Sequence, residues 1–215
     1  MTLAPPGPAR WAPAEGITVR GTVVLLPGRG EHPALYHRLG TRLAFDGYRV
    51  TTSEADLGGD PVVLLGHDTG GLRALELATE TPVAGVAVTG LPLEPTAPVD
   101  GWPGELDART ACPVHRALLA GDREFRRDAL RDPVPGTIAR PAAPVLVLHG
   151  EADRVASPEA ARAFATTLPR ARFVLVAGGH HDVLNDLDHR SVAAELVQFL
   201  EWLRAGTSAP ALVRG

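Results

Sequence analysis

The sequence predicts an α/β protein built on a mostly parallel sheet, with helices on both faces. Three observations carry that expectation. Short β-branched runs alternate along the 215 residues with stretches of helical spacing. Each run is short enough for a strand buried on both faces. A glycine-rich corner joins one such run directly to a helical stretch, and two later runs end in polar residues of the kind that gather at the carboxyl edge of a parallel sheet.

Taken in order, residues 1–15 are Pro/Ala-rich and form an arm without a motif. GTVVLL at 21–26 is the first core strand, and Leu35, Leu39 and Leu43 mark a helix that stops at Gly47. YRVTT at 48–52 and VVLLG at 62–66 are the next strands, joined by the eight residues 54–61, fewer than a helical crossover needs. Leu72, Leu75 and Leu77 then mark a helix, followed by a strand at 83–90. Residues 95–141 hold seven prolines around VHRALLAGDREFRRDALR, which reads as an inserted lid with a helical stretch. Strands at 145–150 and 173–179 complete the sheet. The closing helix carries Val192, Leu196, Phe199, Leu200 and Leu203 on one stripe, with Ser191 as N-cap and Gly206 as its stop. The core is thus 16–94 plus 142–206, and 207–215 is a tail.

Composition narrows the chemistry. The net charge is -4, with both signs interspersed, so neither nucleic acid nor an anionic membrane surface is an expected partner. All 21 basic residues are arginine, which excludes a Schiff-base lysine and the lysine of a phosphate-binding loop. The single Cys112 can form no internal disulfide and suits a reducing compartment. No apolar run is long enough to cross a membrane, and the first residues lack the apolar stretch of a secretion signal, so a cytoplasmic location is expected. Gly28-Arg29-Gly30 matches only the start of a dinucleotide fingerprint, because Pro33 stands where the third glycine belongs. No cofactor is expected. Adjacent side chains at a strand end diverge, so His180, His181, Asp182 and His189 are not read as a metal site.

The segment VVLLGHDTGGLRALELA has the build of a nucleophile elbow, a tight strand-to-helix turn that holds its central residue out at the head of the sheet. That central residue is Asp68. Asp153 follows the strand 145–150, and His181 follows the strand 173–179. The order Asp68, Asp153, His181 is nucleophile, acid, histidine. Glu94, just past the strand 83–90, is the alternative acid.

These segments resemble the α/β-hydrolase superfamily, most closely its lysophospholipase and monoacylglycerol lipase branch, over about residues 20–204. LLPGRGEHPALYHRLGTRLAFDGYRV is similar to that branch's oxyanion-loop segment. LHGEADRVASPEAARAF and GGHHDVLNDLDHRSVAAELVQFLEWL are similar to its acid and histidine segments, the latter aligning His181 with the catalytic histidine. The resemblance implies the α/β-hydrolase fold, a hydrolytic reaction on a small molecule, and an oxyanion hole made by the backbone N–H groups of Arg29 and Thr69. It also implies serine at position 68, where this chain has aspartate. Aspartate nucleophiles occur in the superfamily's haloalkane dehalogenases and epoxide hydrolases, whose elbows carry tryptophan at the position of Thr69.

A carboxylate that attacks an sp³ carbon gives an ester on Asp68, which water activated by His181 then hydrolyses. Attack on an ordinary ester gives an anhydride that collapses backwards, so ester hydrolysis requires Asp68 as a general base. The third reading is a binding protein on the same fold. The Arg29 side chain either clamps an anion in the site or lies in solvent. Trp102, Leu118, Leu119 and Phe125 form either the lid's apolar underside or part of the core, while His32, His37 and His115 face solvent or the lid interface. The short link 54–61 has to cross one strand, leaving part of a sheet face short of cover. The arm 1–15 or a second copy of the chain in a dimer is expected to supply it.

Overall fold

Alternation along the strands decides the layers. In the computed structural model, which describes residues 7–57, 61–95, 99–134 and 138–206, β2 (Gly21–Leu26) turns Val23 and Leu25 to one face of the sheet and Val24 and Leu26 to the other. β4 (Val62–His67) divides its valines and leucines in the same way. The first face is covered by α1 (His37–Phe45) and, from the chain's end, α6 (His189–Ala205). The second is covered by α2 (Thr69–Glu80) and α5 (Pro158–Thr166). With β1 (Arg10–Trp11), β3 (Tyr48–Thr51), β5 (Gly85–Thr89), β6 (Val145–Gly150) and β7 (Ala171–Val176), the strands form one seven-stranded sheet in the order β1-β3-β2-β4-β5-β6-β7. Only β1 runs antiparallel to its neighbour. This is the α/β-hydrolase fold.

Several boundaries differ from the sequence expectation. β7 begins at Ala171, because residues 171 and 172 pair with Val145 and Leu146, and it ends at Val176 ahead of Gly178, whose φ is 63°. α6 begins at His189, with Asp188 rather than Ser191 at the N-cap, since the turn that bonds His189 N to Asp186 O already directs the chain into the helix. Gly206 ends it in the left-handed conformation, as expected.

The helical stretch expected at 114–131 is interrupted. α4 (Pro113–Gly121) stops where the Asp122 carboxylate accepts the N–H groups of Glu124 and Phe125, and Asp128 adopts φ 61° before a short 3₁₀ turn at Ala129–Arg131. A further helix, α3 (Gly101–Arg109), precedes it. Gly101, Pro103 and Gly104 in its first turn concealed it from propensity reasoning. Leu119 and Phe125 are core residues packed with the α1/α6 layer, Trp102 packs against them, and Leu118 is exposed.

The link after β3 crosses β2 to reach β4, as its length required; Glu54–Asp56 form one 3₁₀ turn, and residues 58–60 lie outside the described residues. The expected gap in cover is present as an open groove of about 500 Å³, lined by Thr22, Arg49, Val50 and Thr51 of β2 and β3, by Ala55 and Asp56 of the link, and by Arg10, Trp11 and Ala12 of the arm. Residues 10 and 11 of the arm extend the sheet as β1, opposite Thr51 and Val50, and Trp11 lies against Gly40 of α1. Residues 1–6 lie outside the described residues.

Candidate active site

The corner between β4 and α2 is too tight for side chains on either flank. A Cβ on Gly66 would lie 2.2 Å from Gly70 O, and one on Gly70 would lie 2.1 Å from Leu26 O. Between them Asp68 is held at φ 51°, ψ -126°, a conformation that costs a non-glycine residue on the order of 1–3 kcal/mol. The strain delivers its carboxylate to the carboxyl end of the sheet.

His181 and Asp153 meet it there. His181 Nε2 is 3.6 Å from Asp68 Oδ1, and His181 Nδ1 is 2.9 Å from Asp153 Oδ2. The other oxygen of Asp153 accepts the N–H groups of Val155 and Ala156, at 2.8 and 3.0 Å. Its orientation is therefore fixed by the turn that precedes α5. His180 is turned away, bonded through N and Nδ1 to Asp186. Glu94 is exposed, whereas Asp153 is buried against the imidazole.

Of the two expected oxyanion donors, Arg29 N donates to Asp68 Oδ2 at 2.9 Å. Thr69, the first residue of α2, stands beside the carboxylate in sequence, but the donor that joins Arg29 N on Oδ2 is the side-chain Nε of Arg29, at 2.8 Å. Arg29 Nη2 donates to Oδ1, also at 2.8 Å, completing a two-pronged ion pair with both partners almost fully buried. Nη1 donates to the carbonyls of Leu130 and Asp132. The Arg29 side chain therefore lies inside the site, not in solvent. Sequence reasoning could not decide this, because the carbonyls that hold it are a hundred residues away.

Three more buried groups, two at the loop and one at the Asp153 turn, brace the site and were not anticipated. Glu31 accepts Gly28 N at 2.8 Å and the Tyr36 hydroxyl. Arg109, from α3, donates to Arg29 O, Glu31 and Glu105. His149 Nε2 lies 3.1 Å from Asp153 Oδ2 and 3.0 Å from Ala156 O. As expected, His37 is exposed, where it accepts the Trp11 indole N–H, and His32 and His115 lie at the 95–141 segment, His32 facing Asp122 and His115 facing Asp182.

Burial opposes charge throughout the cluster, yet the partners outweigh it. Asp68 is held well below the usual carboxylate range by His181 and Arg29 against its desolvation. Asp153 is held low likewise, by His181 and His149. Burial alone would depress the His181 imidazole, but Asp153 and Asp68 push it up to about 10. The closed site thus pairs two cations with two carboxylates, and Asp68 and His181 have no exposed surface.

The fold and this constellation define an α/β-hydrolase architecture. Comparison with known proteins agrees. A family model described as serine aminopeptidase, S33, matches residues 130–188, a span that holds Asp153 and His181 but not the elbow. Among solved structures, the chain is similar to a soluble variant of monoglyceride lipase from Saccharomyces cerevisiae, at 18% identity over 92% of this chain and 91% of that one, with a TM-score of 0.74. It is also similar to the monoacylglycerol lipase of Paleococcus ferrophilus, at 20% identity over 94% and 99% of the two chains, with a TM-score of 0.73. A thermophilic esterase from Thermogutta terrifontis is 19% identical over 92% and 93%, with a TM-score of 0.67. No curated protein matches the sequence. Among the described residues no helix is long and apolar enough to cross a membrane.

Proposed function

We propose that the protein is a hydrolase of the α/β-hydrolase kind that opens a bond at an sp³ carbon of a small organic molecule through an alkyl ester on Asp68. The observation that carries this reading is the carboxylate's posture. One oxygen, Oδ2, already receives the Arg29 N–H that the fold aims at a developing oxyanion, while the other, Oδ1, faces the imidazole. Oδ1 attacks carbon and the leaving group departs with the bonding pair. Water then adds to the Asp68 carbonyl carbon, giving its proton to His181 Nε2, and the oxyanion forms at Oδ2 against Arg29 N. Collapse releases the alcohol, protonated by His181, and restores the carboxylate.

Alkylation removes the Asp68 charge, the lesser of the two that raise His181, and so moves the imidazole towards the neutral form that the water-activating step needs. A general-base role for Asp68 on ordinary esters is less well supported, because a carboxylate held this far below its usual range takes a proton from water poorly. The segment 95–141 serves as the lid in this reading, since Leu130 and Asp132 fasten Arg29 over the site.

Turnover in ¹⁸O-labelled water tests the route. Label accumulating in Asp68 over many turnovers supports the ester, and label in product alone supports the general base. A second reading, a binding protein on the hydrolase fold, is favoured by the complete burial of Asp68 beneath the Arg29 fork. No turnover across epoxide, halide and ester panels would favour it.

A further inference from the structure

A second cavity, of about 230 Å³, lies between α1 and the first turn of α6 and shares no lining residue with the candidate active site. We propose that it binds a small phosphate monoester, and that Arg38 carries its occupancy to the turn that holds His181. The walls are Arg38 and Arg42 from α1 and His189 and Arg190 from α6, over Leu39 and Leu184. No acidic residue lines it, and Asp188, at the N-cap of α6, is exposed outside it.

Charge selects the ligand. Arg42 Nε donates to Asp46 Oδ2 at 2.6 Å, so one of the three guanidiniums is matched from its own helix. Arg38 spends its donors on neutral acceptors: Nη2 donates to Asn185 O and Oδ1, at 3.1 and 3.4 Å, and Nη1 lies 4.0 Å from Cys112 Sγ. Arg190 is exposed and has no side-chain partner among the described residues. The carboxylates nearby in sequence are taken, Asp182 by Asn185 and His115, and Asp186 by His180, Thr110 and the N–H of Ala111. Two guanidinium charges therefore line one small space with no counter-ion from the chain. A phosphate monoester brings close to two negative charges near neutral pH and three acceptor oxygens, which suit planar guanidinium donors. A single carboxylate would leave one cation unmatched. Leu39 and Leu184 offer the ester's carbon body an apolar wall, and a cavity below the size of a drug-like site limits that body to a few carbons.

The same contacts lead out of the cavity. A doubly charged acceptor competes well for a donor that Arg38 now shares between two neutral oxygens, one of them at 3.4 Å. Arg38 turning to the ligand loosens its hold on Asn185. Asn185 Nδ2 donates to Asp182 Oδ2 at 3.0 Å, and Asp182, next to His181, donates its own N–H to Arg109 O of α3 at 2.9 Å. Occupancy of the cavity is thus felt at the His181 turn, whatever reaction the candidate active site performs.

Calorimetric titration of the full chain with propyl phosphate, at an ionic strength held constant with sodium chloride, tests the site. One ligand should bind per chain, and Arg190→Gln should weaken it about tenfold, the loss of one charged hydrogen-bonded contact. Arg190 has no partner to lose, so that variant should keep the Tm of the unsubstituted chain. Arg123→Gln removes the same charge from an exposed position on the 95–141 segment and should leave the affinity unchanged. No binding, an equal loss in both variants, or propionate binding as tightly as propyl phosphate overturns the site. In NMR spectra, saturation should shift the amides of Asp182 and Asn185; binding that leaves both unmoved overturns the coupling through Arg38.

Discussion

Asp68 is the residue on which the proposed chemistry and the stability of the cluster turn, because it faces a buried arginine and a buried histidine together. Asp68→Asn should therefore destabilise the fold by about 3–5 kcal/mol, the usual cost of stranding a buried charge. Denaturant unfolding measures it. The same variant should lower the His181 pKa, readable by NMR, since one of its two carboxylates is gone. The pH dependence has a definite sign. His181 titrates at 6.5 in the unfolded chain and about 10 when folded, so its contribution is complete below about pH 6.5 and is lost as pH rises towards 10. Asp68 and Asp153 act oppositely, contributing above about pH 4 and losing that contribution as pH falls through their depressed folded values. Tm should thus be highest between about pH 4 and 6.5 and decline by pH 10, at about 2–4 °C per kcal/mol lost, and His181→Gln should flatten the alkaline decline. The convergence of Asp68, Asp153 and His181 was legible because each is set by its own strand end and adjoining turn. The Arg29 fork was not, since its direction is decided by Leu130 and Asp132, which nothing near residue 29 encodes.

The elements were legible wherever one periodicity ran unopposed. β2, β4 and β6 read correctly from their apolar runs, and the end of α6 from Gly206. The region between β5 and β6 did not, because the Asp122 and Asp128 turns override helical spacing, while α3 forms despite two glycines and a proline in its first turn. Element placement favours one candidate acid over the other: Asp153 lies on the β6–α5 turn against His181, and Glu94 is solvent-exposed past β5. Glu94→Ala should change stability by less than about 0.5 kcal/mol and leave activity intact, whereas Asp153→Ala should abolish turnover. At the other edge, a Cβ on Gly40 would fall 2.3 Å from the Trp11 ring. Gly40→Ala should displace β1, with a red-shifted tryptophan emission and a loss of about 1–3 kcal/mol.

At the scale of the molecule, β1 pairs with β3 and Trp11 packs on α1, so this end of the sheet is closed by the chain's own residues. Light scattering should give the mass of one chain, and deletion of residues 2–12 should lower Tm by removing β1 and Trp11 without changing that mass. A different consequence follows from the way α3 and the 126–132 segment grip the oxyanion loop. Arg109 donates to Arg29 O, Arg126 N donates to Gly30 O at 2.9 Å, and Arg29 reaches back to Leu130 and Asp132. Gly30 has no room to yield, since a Cβ there would lie 2.4 Å from Arg126 O. Loop and segment form one cooperative unit across a hundred residues, so neither can open while the other stays shut. In hydrogen exchange, the amides of Arg29 and Arg126 should then share a single opening free energy and respond alike to any ligand that enters the site.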